Sequence, residues 1–274
     1  MVVFGVAGCG DARFGAPRPA SEQGSEVLDL WRVLFLTGAA VGLLVVGLIL
    51  WSVWRYRRRG DGSAPQFRDN VRLELFYTAV PLVIVAVLFG ITLRTQSRVT
   101  RLDPSPDLRV DVTGFQWGWH FRYPEAGVTV VGDSNRPPTL VLPVGRTVQL
   151  GLSSADVVHA FFVPAFLNKK DLVPGMDNRI DVTPSRTGRF GGACAEFCGL
   201  DHGRMAFAVE VVSLPEFDAW LAAQPRTEDR PGGESPPTTT GQGGSPGRQA
   251  AGRPAAGRPA AATTVLGAGH EEAA

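Results

Sequence analysis

Val33-Leu34-Phe35-Leu36-Thr37-Gly38-Ala39-Ala40-Val41-Gly42-Leu43-Leu44-Val45-Val46-Gly47-Leu48-Ile49-Leu50-Trp51-Ser52-Val53-Trp54 runs for 22 residues without a charge. At about 1.5 Å per residue, a helix of that length crosses a hydrocarbon core about 30 Å thick. A second run, Leu75 to Leu93, is 19 residues long and meets the same requirement. Buried helices of soluble proteins are usually shorter and amphipathic, so both runs read as membrane helices. Trp31, Trp51, Trp54 and Tyr56 lie near the ends of the first run and Tyr77 near the start of the second, which fits an interfacial aromatic belt. Pro81 inside the second run is tolerable where neighbouring helices satisfy the freed carbonyl.

Arginine sets the orientation. The connector between the runs holds Arg55, Arg57, Arg58, Arg59, Arg68 and Arg72, whereas Arg32 precedes the first run and Arg94, Arg98 and Arg101 follow the second. The positive-inside bias puts the connector in the cytoplasm. Both termini, with everything after the second helix, are then expected on the periplasmic or extracellular side of the cell membrane.

The remaining sequence divides by composition. Residues 1–30 are mostly polar and Gly-rich, and Val6-Ala7-Gly8-Cys9 is similar to a lipobox. Eight residues without Lys or Arg cannot supply a whole signal peptide, so either the true start lies upstream of Met1, which is the expectation, with Cys9 then lipidated, or the lipobox is coincidence. Residues 31–95 form the expected helical hairpin. Residues 106–223 change to short runs rich in Val, Thr, Phe and Trp: Leu108 to Thr113, Phe115 to Tyr123, Val128 to Val131, Thr139 to Leu142, Thr147 to Leu152, Arg179 to Thr183 and Ala206 to Val212. That spacing predicts a β-sandwich or small barrel. Leu214 to Ala223 has apolar residues three and four apart and predicts a closing helix. Residues 224–274 collapse into Pro, Gly, Thr and Ala, which predicts a disordered tail. The whole is expected to be an α+β membrane protein. A formal charge of +1 over 274 residues shows no basic bias of the kind nucleic-acid binding needs, and no C-x-x-C-H is present to attach a c-type haem.

Chemistry concentrates in Cys194-Ala195-Glu196-Phe197-Cys198-Gly199-Leu200-Asp201-His202-Gly203-Arg204-Met205. The chain has three cysteines, four histidines and three methionines, and this loop gathers two, one and one of them. Thiolate and thioether prefer soft ions, so the set favours copper over zinc or calcium. A C-x3-C disulfide, a core methionine and a surface histidine are the bland alternatives. His159, set among apolar residues, offers a second imidazole, whereas His120 lies in an aromatic strand and His270 in the tail. Two histidines, two thiols and a thioether exceed the three or four ligands of a mononuclear site. Two metals sharing bridging thiolates would use them all.

The loop resembles the C-x-E-x-C-G-x-x-H-x-x-M signature of subunit II of haem-copper cytochrome c oxidase, complete from Cys194 to Met205. Gly114-Phe115-Gln116-Trp117-Gly118-Trp119, Asp156-Val157-Val158-His159 and Asp171-Leu172-Val173-Pro174-Gly175 are similar to other segments of that family. The similarity spans roughly Leu30 to Leu221. It implies a two-helix hairpin before a cupredoxin-like Greek-key β-barrel or sandwich. It also implies that Cys194 and Cys198 bridge two coppers, the binuclear CuA centre, with His159 and His202 capping them. Met205 and the Glu196 carbonyl would be weak axial ligands. The Glu196 side chain would reach a magnesium ion shared with the catalytic subunit. Trp117 would accept electrons from a c-type cytochrome, although Trp119 alternates onto the same face and one of the two could be packing. Glu74 matches a position at the mouth of a proton path, and pairing with Arg72 is its bland alternative. Asp156, Asp171 and Asp177 are acidic groups that could steer the cytochrome. Subunit I and other oxidase subunits, membrane lipid and the cytochrome are the implied partners. A membrane-anchored copper chaperone also uses C-x3-C with a distant histidine, but it needs alternating βαβ elements and one membrane helix. A quinol oxidase subunit II shares hairpin and barrel but lacks the copper ligands.

Overall fold

The computed structural model describes residues 12–57 and 69–226. Cys9, the connector arginines Arg58, Arg59 and Arg68, and the composition-biased tail lie outside the described residues. Two helices, α1 (Glu22–Arg55) and α2 (Val71–Val99), carry the apolar runs. Both are long and apolar enough to cross a membrane. The Arg98 guanidinium at the end of α2 lies 3.1 Å from Glu26 near the start of α1, so the pair runs antiparallel. Their side chains are largely exposed, Leu43, Leu50, Val53, Leu75 and Phe89 among them. That is the surface a hydrocarbon phase or a partner helix would cover.

α1 begins well before the apolar run because Ser21 caps it: its hydroxyl accepts from the Gly24 amide at 3.0 Å. The first turn is also fastened to the β domain. Gln23 donates to Thr183 Oγ1 at 3.3 Å and its Oε1 accepts from the Thr183 amide at 3.0 Å. Gly24 sits there because a Cβ would lie 2.7 Å from the Phe166 carbonyl oxygen.

Ten strands follow: β1 (Leu108–Phe115), β2 (Gly118–Tyr123), β3 (Val128–Asp133), β4 (Thr139–Pro143), β5 (Val148–Ser154), β6 (His159–Val163), β7 (Asn168–Leu172), β8 (Asn178–Val182), β9 (Gly188–Cys194) and β10 (Ala206–Val212). A short helix, α3 (Leu214–Ala222), closes the domain behind a Ser213/Glu216 capping box. The strands form two five-stranded sheets, ordered β3-β2-β1-β5-β8 and β4-β10-β9-β6-β7. The β1/β5 and β4/β10 pairs are parallel and the others antiparallel. Crossovers of this kind make the sandwich of the cupredoxin-like type expected from the sequence.

Period-two alternation along β1 and β10, with continuous burial along β4, fills the core. Val110 and Val112 of β1, Leu150 and Leu152 of β5, and Leu140 and Leu142 of β4 are all buried. An aromatic cluster stands at the centre, with Phe207 4.9 Å from both the Trp119 and Phe161 ring centroids. Tyr123 buries its ring, and its hydroxyl both donates to the Val141 carbonyl and accepts from the Val141 amide, each at 2.9 Å. Burial pushes that phenol well above its usual range, an effect only partly offset by the Val141 backbone bond.

The single strand expected over Phe115 to Tyr123 is two. The chain turns at Gln116 and Trp117, and β1 pairs with β2 as a hairpin, Phe115 facing Gly118. Gly118 permits this, since a Cβ there would lie 2.3 Å from the Gly132 carbonyl oxygen. Trp117 and Trp119 are therefore not related by strand alternation. β7 and β9 are further strands whose composition hides them: the first contains Lys169 and Lys170, the second three glycines. In β9 packing requires glycine at position 192 alone, because a Cβ on Gly192 would lie 2.3 Å from the Phe207 ring while Gly191 has open space. Gly192→Ala is expected to lower unfolding stability by about 1–3 kcal/mol through overpacking, and Gly191→Ala to change it little. Chemical denaturation of the two variants checks this, and equal midpoints would refute the packing account.

Candidate metal centre

β9 and β10 are ladder partners, Ala193 facing Ala206, and the loop between them is closed where the Cys194 amide donates to the Met205 carbonyl at 2.9 Å. On the other side of β9, β6 pairs Phe161 with Cys194, and the Ala195 amide donates to Ala160 at 3.1 Å. This ladder sets His159, the first residue of β6, beside the loop. Gly114 on β1 leaves room for the ring: a Cβ there would lie 3.1 Å from the imidazole.

Cys194 and Cys198 are both free and buried, with Sγ atoms 3.8 Å apart. His159 Nδ1 lies 3.9 Å from Cys194 Sγ, and His202 Nδ1 lies 3.6 Å from Cys198 Sγ. Met205, buried, brings its Sδ to 3.8 Å from Cys198 Sγ. The Glu196 carbonyl oxygen lies 3.2 Å from Cys194 Sγ. The ligating atoms of His159, Cys194 and Cys198 fall within 4.8 Å of one another, close enough to hold a metal ion. All five sequence-predicted donor side chains and the predicted carbonyl thus meet in one place.

Electrostatics suit thiolate chemistry. Burial pushes the Cys194 thiol up, but the His159 imidazole, the backbone at Glu196 and Ala160, and His202 together outweigh it and bring it down to about 6. Burial, and then the negative charge of Cys194, push Cys198 up to about 12. Without a cation the pair therefore gives up one proton readily and keeps the second, as two like charges in contact must. Burial lowers the affinity of His159 for a proton, but hydrogen bonds to Cys194 and Asp156 more than reverse it.

The remaining predicted residues fall elsewhere. Trp117 sits in the β1–β2 turn and its indole N–H donates to the Cys198 carbonyl at 3.1 Å. Trp119 is wholly buried in the aromatic cluster, its indole N–H donating to the Met205 carbonyl at 3.4 Å. The Glu196 carboxylate accepts from Lys169 Nζ at 2.9 Å. Asp171 lies 3.5 Å from the same ammonium. Phe197 and Leu200 project from the loop, 80% and 89% exposed. Glu74 stands in the first turn of α2, about 37 Å along the helix from its other end at Val99.

Three contributors were not singled out as part of the centre. Gly114 clears the imidazole. Gln116 donates its side-chain amide to the Cys198 carbonyl at 2.8 Å. Asp156, read from the sequence as a surface acid, accepts from His159 Nε2 at 2.8 Å. Only the Asp-x-x-His spacing hinted at the last of these.

The chaperone alternative fails on architecture, since the described residues hold two membrane-length helices and two β-sheets instead of βαβ repeats. The family model for the periplasmic domain of cytochrome c oxidase subunit II matches residues 134–212. The chain is 40% identical over 249 residues to a probable cytochrome c oxidase subunit 2 of Streptomyces coelicolor, covering 76% of this chain and 78% of that one. It is 31% identical over 279 residues to cytochrome c oxidase subunit 2 of Mycobacterium tuberculosis, covering 79% and 77%. Among solved structures, the periplasmic domain of subunit II of cytochrome oxidase from Bradyrhizobium japonicum is 34% identical, with a TM-score of 0.41 over 45% of this chain and 96% of that one. Identity at this level across three quarters of both chains places this chain in the cytochrome c oxidase subunit II family, and so among the subunits of an oxidoreductase complex.

Proposed function

We propose that this chain is the electron-accepting subunit of a haem-copper cytochrome c oxidase. It takes one electron at a time from a c-type cytochrome at a binuclear copper centre and passes it to haem in subunit I, where oxygen is reduced and protons are translocated. The observation that carries this reading is the pair of free sulfurs 3.8 Å apart with one imidazole Nδ1 beside each. A disulfide would hold the sulfurs about 2 Å apart, and a mononuclear site uses three or four donors. Five soft or borderline side-chain donors fit two copper ions.

Cys194 and Cys198 would be shared between the coppers, His159 and His202 would serve one each, and Met205 Sδ and the Glu196 carbonyl would make weaker contacts. When bound, the two coppers supply a one-electron carrier whose charge is spread over both, which lowers the reorganisation each transfer requires. The chain's own residues do the rest. Burial of both thiols and of Met205 excludes water from the centre. Ladder pairing fixes the donors before metal arrives, so little ordering remains at loading. The Trp117 indole, partly buried in the turn and bonded to the Cys198 carbonyl, offers the cytochrome a contact leading to the thiol loop.

The Glu196 carboxylate would reach a magnesium ion shared with subunit I, and its partner Lys169 would then have to share or yield it. Glu74 would stand at the cytoplasmic mouth of a proton path. The arginine bias supports a cytoplasmic connector, with both termini and the copper domain on the outer side of the cell membrane. The division into an N-terminal segment, a hairpin, a copper domain and a tail belongs to the same reading.

Copper analysis and electron paramagnetic resonance of the full-length chain after copper loading are the direct test. Two coppers per chain with a delocalised mixed-valence signal are expected, and Cys198→Ser is expected to abolish that signal. One copper with a mononuclear spectrum would overturn the reading. Trp117→Phe, which loses the indole bond to the Cys198 carbonyl, is expected to slow electron uptake from cytochrome c while leaving two coppers per chain. Stopped-flow reduction measures it, and an unchanged rate would assign the indole to packing alone. In the assembled oxidase, Glu74→Gln is expected to lower turnover without altering the copper signal, and full turnover would remove it from the proton path.

A further inference from the structure

Asp156 stands in the loop between β5 and β6, three residues before His159. Its two carboxylate oxygens serve different parts of the site. Oδ1 accepts from His159 Nε2 at 2.8 Å and from the Val157 amide at 2.6 Å. Oδ2 accepts from the Gln116 amide at 2.7 Å. Gln116 in turn donates its side-chain amide to the Cys198 carbonyl at 2.8 Å, the same oxygen that receives the Trp117 indole N–H. One carboxylate thus joins the histidine to the turn that carries Trp117, and that turn grips the thiol loop twice. Gly199 makes the grip possible, since a Cβ there would lie 3.1 Å from the Trp117 ring and 3.2 Å from the Gln116 amide nitrogen.

We infer that Asp156 is a positioning residue of the copper centre, holding the His159 imidazole with Nδ1 toward Cys194 and tying it through Gln116 to the Trp117 turn. The inference rests on the copper reading above. A carboxylate only accepts, so the ring nitrogen facing it must carry the proton. The proton on Nε2 leaves the Nδ1 lone pair free on the side of Cys194, from which it lies 3.9 Å. The imidazole is wholly buried while the Asp156 side chain is 31% exposed. The carboxylate therefore keeps part of its hydration while the ring has none, and the ring depends on this bond for its only polar contact besides Cys194 among those observed. Carboxylates that orient a ligating histidine in this way also raise its basicity toward the metal, and losing one typically weakens metal binding about 10–100-fold.

A surface acid that merely steers a cationic cytochrome makes a different prediction. Steering acts at long range, raises KM when lost and fades with salt. Positioning acts on the centre itself, with no cytochrome present. The test uses the oxidase assembled with full-length chain carrying Asp156→Ala or Asp156→Asn, beside the unaltered protein. Copper content against a competing chelator, the copper hyperfine pattern and the reduction potential are read first, then KM and kcat with cytochrome c. Asp156→Ala is expected to weaken copper retention about 10–100-fold and to change the hyperfine pattern. Asp156→Asn keeps an acceptor oxygen but loses the charge, so it is expected to retain copper and to raise the potential. It carries the test if the alanine variant does not assemble. An unaltered hyperfine pattern and potential in Asp156→Asn, with only KM raised, would overturn the inference and leave Asp156 a steering charge. Absence of a binuclear signal in the unaltered oxidase would instead overturn the copper reading itself, so the two failures are distinguishable.

Discussion

The hydrogen bond from the Cys194 amide to the Met205 carbonyl closes the loop on which the metal centre is built. Twelve residues leave β9 and return into β10 with their ends in ladder register, so both thiols, His202 and Met205 are confined to one small volume. Confinement is what metal binding needs, since fixing a residue's backbone costs about 1–2 kcal/mol. The sandwich meets that cost with its core, well before any ion arrives. The second imidazole comes from the neighbouring strand, where β6 pairs with β9 through Phe161 and Cys194. Two adjacent strands of one sheet therefore deliver residues that stand 35 positions apart in the chain.

Glycine is the other half of that arrangement. Gly114 leaves space for the His159 ring, Gly192 for Phe207, and Gly199 for the Trp117 indole. Each is a place where a side chain would displace a ring of the centre or of the aromatic core beneath it. Gly199 additionally has a φ of 115°, a conformation other residues seldom adopt. The loop can turn there because of that freedom, and its turn brings the Cys198 carbonyl under both Trp117 and Gln116.

Much of this was legible in the residues. The membrane helices follow from two uncharged runs, and the donor set from one short motif, because length and ligand chemistry are local properties. β5 and β10 announce themselves by alternation and β4 by a short continuous apolar run. The hairpin at Gln116-Trp117 does not, since its turn rests on a clearance between Gly118 and Gly132 that joins residues of different strands. β7 and β9 are hidden for a related reason: lysines and glycines lower their propensity, and ladder pairing with neighbours overrides it. The distinction between Trp117 and Trp119 was likewise invisible, because an indole at a turn and an indole in a core differ only in what the third dimension puts beside them.

Asp156 marks the limit of sequence reading most clearly. As a residue type near a ligand loop it looks like any surface carboxylate, and a charge at the rim of a docking face is the natural inference. Its geometry adds a second role, because one oxygen faces a buried imidazole and the other faces the backbone of the turn that holds Trp117. Gln116 extends the connection to Cys198. The histidine, the indole and the thiol loop are consequently not three independent attachments to a rigid sheet. They share a short hydrogen-bonded brace, and a disturbance at the Trp117 turn, where a cytochrome would press, has a direct mechanical route to a ligand of the centre.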